Sequence, residues 1–289
     1  MDGLLIAIVS GVANGAVYGA TALAYNAMFS TSKVLSVTTG HLAMLGGVFG
    51  AWFITALGVP AWLALALAIA VGALFGLLTE LIAIRRVLAR SDEHLWLLST
   101  LALATMVSQA VGLWWGTEPK PFPRLIAQDD TAGPLDQKYW LPVLVALLLA
   151  GLLELFYRRT LYGKLFVAMS EDAFAARARG IPTDLVRAAS YALAGAMGAL
   201  AGFAAAQLTF AYFAIGLTLT LNGFIALAVG GLGSNPGALV GGLVLGVLSA
   251  VTTYFIGGEF QQTVAVGLLM IVLLVRPQGL FGHPDVRPV

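Results

Sequence analysis

The residues able to do chemistry in this chain are few, and most carry no charge. His41, His94 and His283 are scattered, with no HExxH pair and no Ser/His/Asp arrangement around them. Cysteine is absent, which removes disulfides, thiolate metal sites and redox centres. Glu80 and Glu154 fall near the ends of apolar runs; Glu80 precedes Arg85, Arg86 and Arg90 by a few positions and is expected to pair with them at an interface. The polar groups inside the apolar runs are neutral: Asn14, Tyr18, Thr38, Thr39, Gln207, Asn222 and Thr252. A proton- or sodium-driven pump places ionisable groups deep in the membrane, and none is found there. No constellation supports catalysis by this chain, no cofactor or metal is expected in it, and the neutral groups argue against ion coupling and for a passive pathway moved by force applied elsewhere.

One glycine-rich stretch, Gly230-Gly231-Leu232-Gly233-Ser234-Asn235-Pro236-Gly237, invites comparison with a phosphate loop. It lacks the GK[ST] ending and the strand–loop–helix context, so a nucleotide site is rejected and the stretch is a flexible break.

Composition decides the class. The chain of 289 residues is 60% hydrophobic and 10% charged, with a mean hydropathy of +0.92. A soluble domain of this size needs far more charge to cover its surface. The apolar runs are continuous rather than alternating, which disfavours a β-barrel. The expected fold is all-α: one polytopic bundle over residues 1–289, embedded in the lipid bilayer, with about eight or nine spans. A crossing takes roughly 20 apolar residues.

Leu4–Met28 is the first run, read as a span and not as a signal peptide. Asn14, Tyr18 and Tyr25 share one of its faces at i, i+4 and i+11. That face is either a polar seam between helices or the lining of a solute path. Val34–Leu57 starts polar, with Ser36, Thr38, Thr39 and His41, and carries Gly40, Gly46, Gly47 and Gly50. A broken or re-entrant segment fits it better than a smooth helix, and Thr38, Thr39 and His41 join the path candidates. Further runs are Ala61–Ile84, Leu95–Trp115, Leu141–Tyr157, Ala188–Leu208, Leu217–Val229 (with Asn222), Ala238–Ile256 and Phe260–Val275. Four prolines between 116 and 140 predict an irregular loop there.

The longest charge-rich insertion is Arg158–Gly180, RRTLYGKLFVAMSEDAFAARARG. It predicts a short helix with Ser170 as N-cap, Glu171 and Asp172 in the first turn, and Arg177 and Arg179 in the last. Gly180 closes it in the left-handed conformation, and Pro182 suits the first turn of the next helix. Basic residues crowd one set of loops: Lys33, Arg85, Arg86, Arg90, the group from Arg158 to Arg187, Arg276 and Arg287. Only Lys120, Arg124 and Lys138 face the other way. The positive-inside rule puts the insertion and the C-terminus in the cytoplasm, and the N-terminus outside.

Four stretches resemble one family, the permease subunits of branched-chain amino acid (Liv-type) ABC importers, and the likeness covers nearly the whole chain. RRTLYGKLFVAMSEDAFAARARGI resembles the family's cytoplasmic coupling segment, here residues 158–187 with its continuation. GGLGSNPGALVGGLVLG resembles its glycine-rich break, LLVRPQGLFG its C-terminal signature, and SKVLSVTTGHLAMLGG the segment between the first two spans. The length is nearer the shorter of the two permease types. At Ser36-Val37-Thr38-Thr39-Gly40-His41, however, the shorter type usually has Asn-Phe-Ala-His-Gly-Glu, and the Gly-His pair is similar to the longer type.

The resemblance implies a bacterial cytoplasmic membrane, a second homologous permease, two cytoplasmic ATPase subunits that bind ATP and Mg, and an extracytoplasmic substrate-binding protein, with no nucleic acid involved. It implies that Glu171, Asp172, Ala175, Arg177 and Gly180 form the ATPase contact. The solute implied is a branched-chain or other hydrophobic amino acid, or a relative such as urea, an amide or an aromatic acid. The competing reading is a secondary transporter or facilitator of a small neutral solute that needs no ATPase.

Overall fold

The computed structural model describes residues 2–88, 95–123 and 137–282. Arg90, His94, Arg124, His283 and Arg287 lie outside the described residues.

The chain is a bundle of helices, as the long apolar runs require. In order they are α1 (Asp2–Ser32), α2 (Thr39–Thr55), α3 (Ala61–Thr79), α4 (Arg85–Leu88), α5 (Leu95–Trp115), α6 (Gln137–Arg159), α7 (Leu161–Glu171), α8 (Ala173–Ala178), α9 (Thr183–Ala205), α10 (Ile215–Gly230), α11 (Asn235–Phe255) and α12 (Gln261–Val275). A π-helical turn, Glu80–Ile84, joins α3 to α4. Among the described residues, seven helices are long and apolar enough to cross a membrane, and Ile215–Gly230 is a shorter apolar helix. With the 17-residue α2, this matches the expected all-α bundle.

The centre of the bundle is α9. In its span 72% of residues are buried, against 11% in α12. Small residues make this possible. A Cβ at Gly202 would land on the Ala43 carbonyl, one at Gly46 on the Ala199 carbonyl, and one at Gly76 on the Tyr191 carbonyl. Backbones at this separation give dense packing between helices that have no hydrophobic drive to associate in lipid. On the other side, α1 and α11 approach equally closely through Gly15, Gly242 and Gly246.

The second run is broken, as its polar start suggests. Lys33 takes a positive φ of 54°, residues 33–36 carry no regular structure, and α2 starts only at Thr39. Gly198 of α9 packs near the Thr39 carbonyl, about sixteen residues into that helix. The helical half of the run therefore starts deep in the bundle. Its non-helical half is buried in protein, where bare backbone is tolerated.

Three local expectations are corrected. The loop after α5 is not wholly irregular: Lys120–Pro121 pairs antiparallel with Phe210–Ala211 as β1 and β2. Proline fits because Pro121 is on the edge of a two-residue ribbon. Glu80 pairs with Arg85 at 3.8 Å as expected, but it is fully buried, and its closest partner among the described residues is Arg187 of α9. Ser170 is not an N-cap. It belongs to the last turn of α7, with its hydroxyl donating to the Val167 carbonyl.

Candidate functional site

Two groups of residues stand apart from the lipid-facing surface: polar side chains inside the bundle, and the short helix α8 at its basic end.

Inside the bundle, α1, the break before α2, and α10 meet through neutral hydrogen bonds. The Tyr25 hydroxyl donates to the Thr220 carbonyl at 3.2 Å. The Thr220 hydroxyl lies 2.8 Å from the Gly216 carbonyl, 3.2 Å from the Val37 carbonyl and 3.4 Å from His41 Nδ1. Ser36 Oγ and Thr38 Oγ1 are 2.7 Å apart, and the Thr39 hydroxyl donates to the Ser36 carbonyl at 3.0 Å. Thr38, Thr39 and His41 are 3%, 0% and 5% exposed. These bonds satisfy the backbone that the missing helical turns leave bare. Chemically the cluster is a ring of donors and acceptors with no ionisable carboxylate or amine.

Higher along α1, toward the end opposite the basic loops, the same face turns to α10 and α12. The Tyr18 hydroxyl neighbours the side chains of Gln261 and Asn222. Asn14 donates to the Ser10 carbonyl at 3.0 Å. It also lines a half-open cavity of about 360 Å³ with Ser10, Ser249, Thr253, Tyr254 and Gln261. So Asn14 and Gln261 share a cavity and Tyr18 neighbours both Gln261 and Asn222, while Thr38, Thr39 and His41 form a separate buried cluster. Gln261, Ser249 and Thr253 were not singled out in the sequence. The available signal was their spacing: Ser249 and Thr253 are one turn apart on α11, and Gln261 opens α12.

At the basic end, α8 is a six-residue helix with both ends fixed. Asp172 is its N-cap, accepting hydrogen bonds from the N–H groups of Phe174 at 2.8 Å and Ala175 at 2.9 Å. Gly180 has φ +82°, and the Ile181 N–H closes back on the Ala176 carbonyl at 3.1 Å. This is the glycine-closed helix end that the sequence predicts. Pro182 is the N-cap of α9 and Thr183 its first residue, one position from expectation. Arg177 folds against α9, donating to Thr183 Oγ1 at 3.0 Å. Beneath α8, Phe166, Met169 and Val186 form a small apolar core that holds α7 to α9. Glu171 is exposed and Ala175 half-buried. Phe174, which the sequence reading passed over, is 84% exposed. The signal in the sequence was a lone aromatic residue among charged residues and alanines.

The glycine-rich break and the C-terminal stretch pack on each other. Leu280 and Phe281 donate from their N–H groups to the carbonyls of Val229 and Gly230, each at 2.9 Å. Gly231, at φ +109°, faces Gly282 so closely that a Cβ would collide with its backbone. From α1, Asn26 accepts from the Gly233 N–H at 3.0 Å and donates to the Asn235 side chain. Ser234 caps α11 by accepting from the Gly237 N–H at 3.1 Å. The break is thus tied by hydrogen bonds to the C-terminal stretch and to α1. The positive-φ glycines make the tight turn, and the buried Asn26 holds it.

Comparison with known proteins agrees with this architecture. The family described as "Branched-chain amino acid transport system / permease component" matches residues 7–274. The high-affinity branched-chain amino acid transport system permease protein LivH of Escherichia coli (strain K12) is 29% identical, over 97% of this chain and 96% of its own length. The corresponding protein BraD of Pseudomonas aeruginosa is also 29% identical, over 98% and 97%. A probable LivH of Methanocaldococcus jannaschii is 25% identical, over 90% and 87%. With a match spanning nearly all of its helices, the chain belongs to the family of branched-chain amino acid transport system permease components.

Proposed function

We propose that this chain is the membrane permease of an ATP-driven importer, and that its solute is a branched-chain amino acid or a closely related small organic molecule. The observation that carries the reading is the family match from residue 7 to residue 274. The full-length likeness to LivH and BraD supports the solute class, since both names specify branched-chain amino acids. The partners are a second homologous permease, two ATPase subunits that hold ATP and Mg in the cytoplasm, and an extracytoplasmic binding protein. The N-terminus is outside and the basic end is cytoplasmic.

In this reading the solute passes Asn14, Tyr18 and Asn222, with Gln261 beside them. Neutral hydrogen-bonding groups suit a zwitterion, whose opposite charges need no fixed counter-charge along the way. Thr38, Thr39 and His41 shape the wall behind that route through Thr220 and Tyr25. Helix α8 receives the ATPase. Asp172 and Gly180 define its two ends, Arg177 braces it on α9, and Glu171 and Ala175 contribute surface. Phe174 supplies the apolar anchor: Asp172 and Arg177 are already bonded within the chain, and exposed aromatics carry much of the energy in protein interfaces.

Affinity purification of the complete complex tests the docking role. Phe174→Ala is expected to release the ATPase subunits while the two permeases stay together. Full retention of the ATPases with both Phe174→Ala and Arg177→Glu would refute it.

A further inference from the structure

A chain of paired charges runs from α8 into the core. Arg177 on α8 meets Thr183 at 3.0 Å and Asp184 at 4.0 Å, both in the first turn of α9. Asp184 pairs with Arg187 one turn later at 3.0 Å. Arg187 then reaches Glu80 of the π-helical turn after α3, at 2.9 Å. The side chain of Glu80 is 0% exposed and that of Arg187 only 11%. Among the described residues, Glu80 Oε2 has no hydrogen-bond partner, and Arg85 lies 3.8 Å from Oε1.

A buried ion pair adds little stability compared with well-packed apolar side chains, because removing both ions from water costs about as much as their attraction returns. Stability therefore does not explain this pair. Its position does. Helices α3 and α9 approach closely at Gly72, Gly76 and Gly195, small residues with no side chain to key one helix to the other. The Glu80–Arg187 pair supplies a directional contact at the end where α9 receives α8. A π-helical turn closes i→i+5 hydrogen bonds and occurs mostly as a single bulge, frequently at functional sites. Glu80 is the first residue of this one.

We propose that Glu80 and Arg187 are positioning residues of the transport cycle: with Asp184 and Arg177 they form a charge relay that makes α8, α9 and α3 move as one lever. The inference rests on the reading of α8 as the ATPase contact. The relay carries displacement of α8 to the Glu80–Ile84 turn, so that α3 follows α9 instead of sliding past it. Breaking the relay uncouples ATP hydrolysis from solute movement without removing the ATPase.

The test uses the complete complex in proteoliposomes, supplied with binding protein and leucine, and reads leucine moved per ATP hydrolysed together with ATPase retention. The variants are Thr183→Ala with Asp184→Ala, which removes both partners of Arg177 on α9, and the apolar pair Glu80→Leu with Arg187→Met, which leaves no buried charge unpaired. Both are expected to keep their ATPase subunits and to move about tenfold less leucine per ATP, within the range by which such chains alter coupling. An unchanged ratio overturns the relay, as does loss of the ATPase subunits, which would make the network part of the docking surface. Should the apolar pair not accumulate, Thr183→Ala with Asp184→Ala decides. ATP-independent uptake by the unaltered complex would sink the parent reading and the relay together. ATP-driven uptake with an unchanged ratio in Thr183→Ala with Asp184→Ala sinks the relay alone.

Discussion

The carboxylate of Asp172 accepts a 2.8 Å hydrogen bond from the backbone N–H of Phe174, and this bond fixes both where α8 begins and how Phe174 is presented. The cap orients the first turn, and the ring of Phe174 is left in solvent. A polar residue whose role is wholly local thereby sets how an exposed aromatic ring is presented. The first prediction tests that link. Asp172→Ala should weaken α8 by about 1 kcal/mol, the usual value of such a cap. Asp172→Asn, which caps as well, should behave as the unaltered protein. ATPase affinity in detergent is the readout, with the alanine variant binding severalfold more weakly.

Gly180 gives a complementary backbone test. At φ +82° it adopts a conformation that costs L-residues about 1–2 kcal/mol. No atom lies within 4 Å of a Cβ built there, so the effect of a side chain is conformational and not steric. Gly180→Val should impair α8 and ATPase binding, whereas Gly180→Asn, which tolerates the left-handed region, should be mild. Equal binding by the valine and asparagine variants would count against the cap.

Packing glycines should separate into two classes. Gly202→Val drives a side chain into the Ala43 backbone and should abolish accumulation of folded protein. Gly151→Ala and Gly267→Ala meet nothing within 4 Å and should be tolerated. Fluorescence size-exclusion profiles of the three variants compare them directly.

The hydrogen-bonded glycine-rich break predicts a stability effect. Asn26 is 4% exposed and holds Gly233 and Asn235. Asn26→Leu should leave the Gly233 N–H unsatisfied and cost about 1–3 kcal/mol, seen as a lower melting temperature in detergent. Asn14→Leu lines the half-open cavity instead. It should leave the melting temperature nearly unchanged while lowering uptake.

How much of this was legible beforehand depends on how local each determinant is. Gly180 and Pro182 could be read because their backbone preferences act at their own positions. Ser170 and Asp172 are both good caps two residues apart. The choice between them is made by Phe166 and Met169, whose packing on Val186 carries α7 through to Glu171. Glu80 had three arginines nearby in sequence, yet it pairs most closely with one 107 positions away; that partner is set by the approach of α3 to α9. The polar residues of α1 were visible as a face. Only the packing of α10 and α12 separates Tyr25, bonded to Thr220, from Asn14, which borders a cavity.

The central claim is that transport through this chain is powered by a partner ATPase. Uptake of labelled leucine into proteoliposomes holding the complete complex, with binding protein outside and ATP either present or absent inside, measures it most directly. The account predicts accumulation against a gradient that requires both ATP and binding protein. Leucine equilibrating through the permease without either one would contradict it.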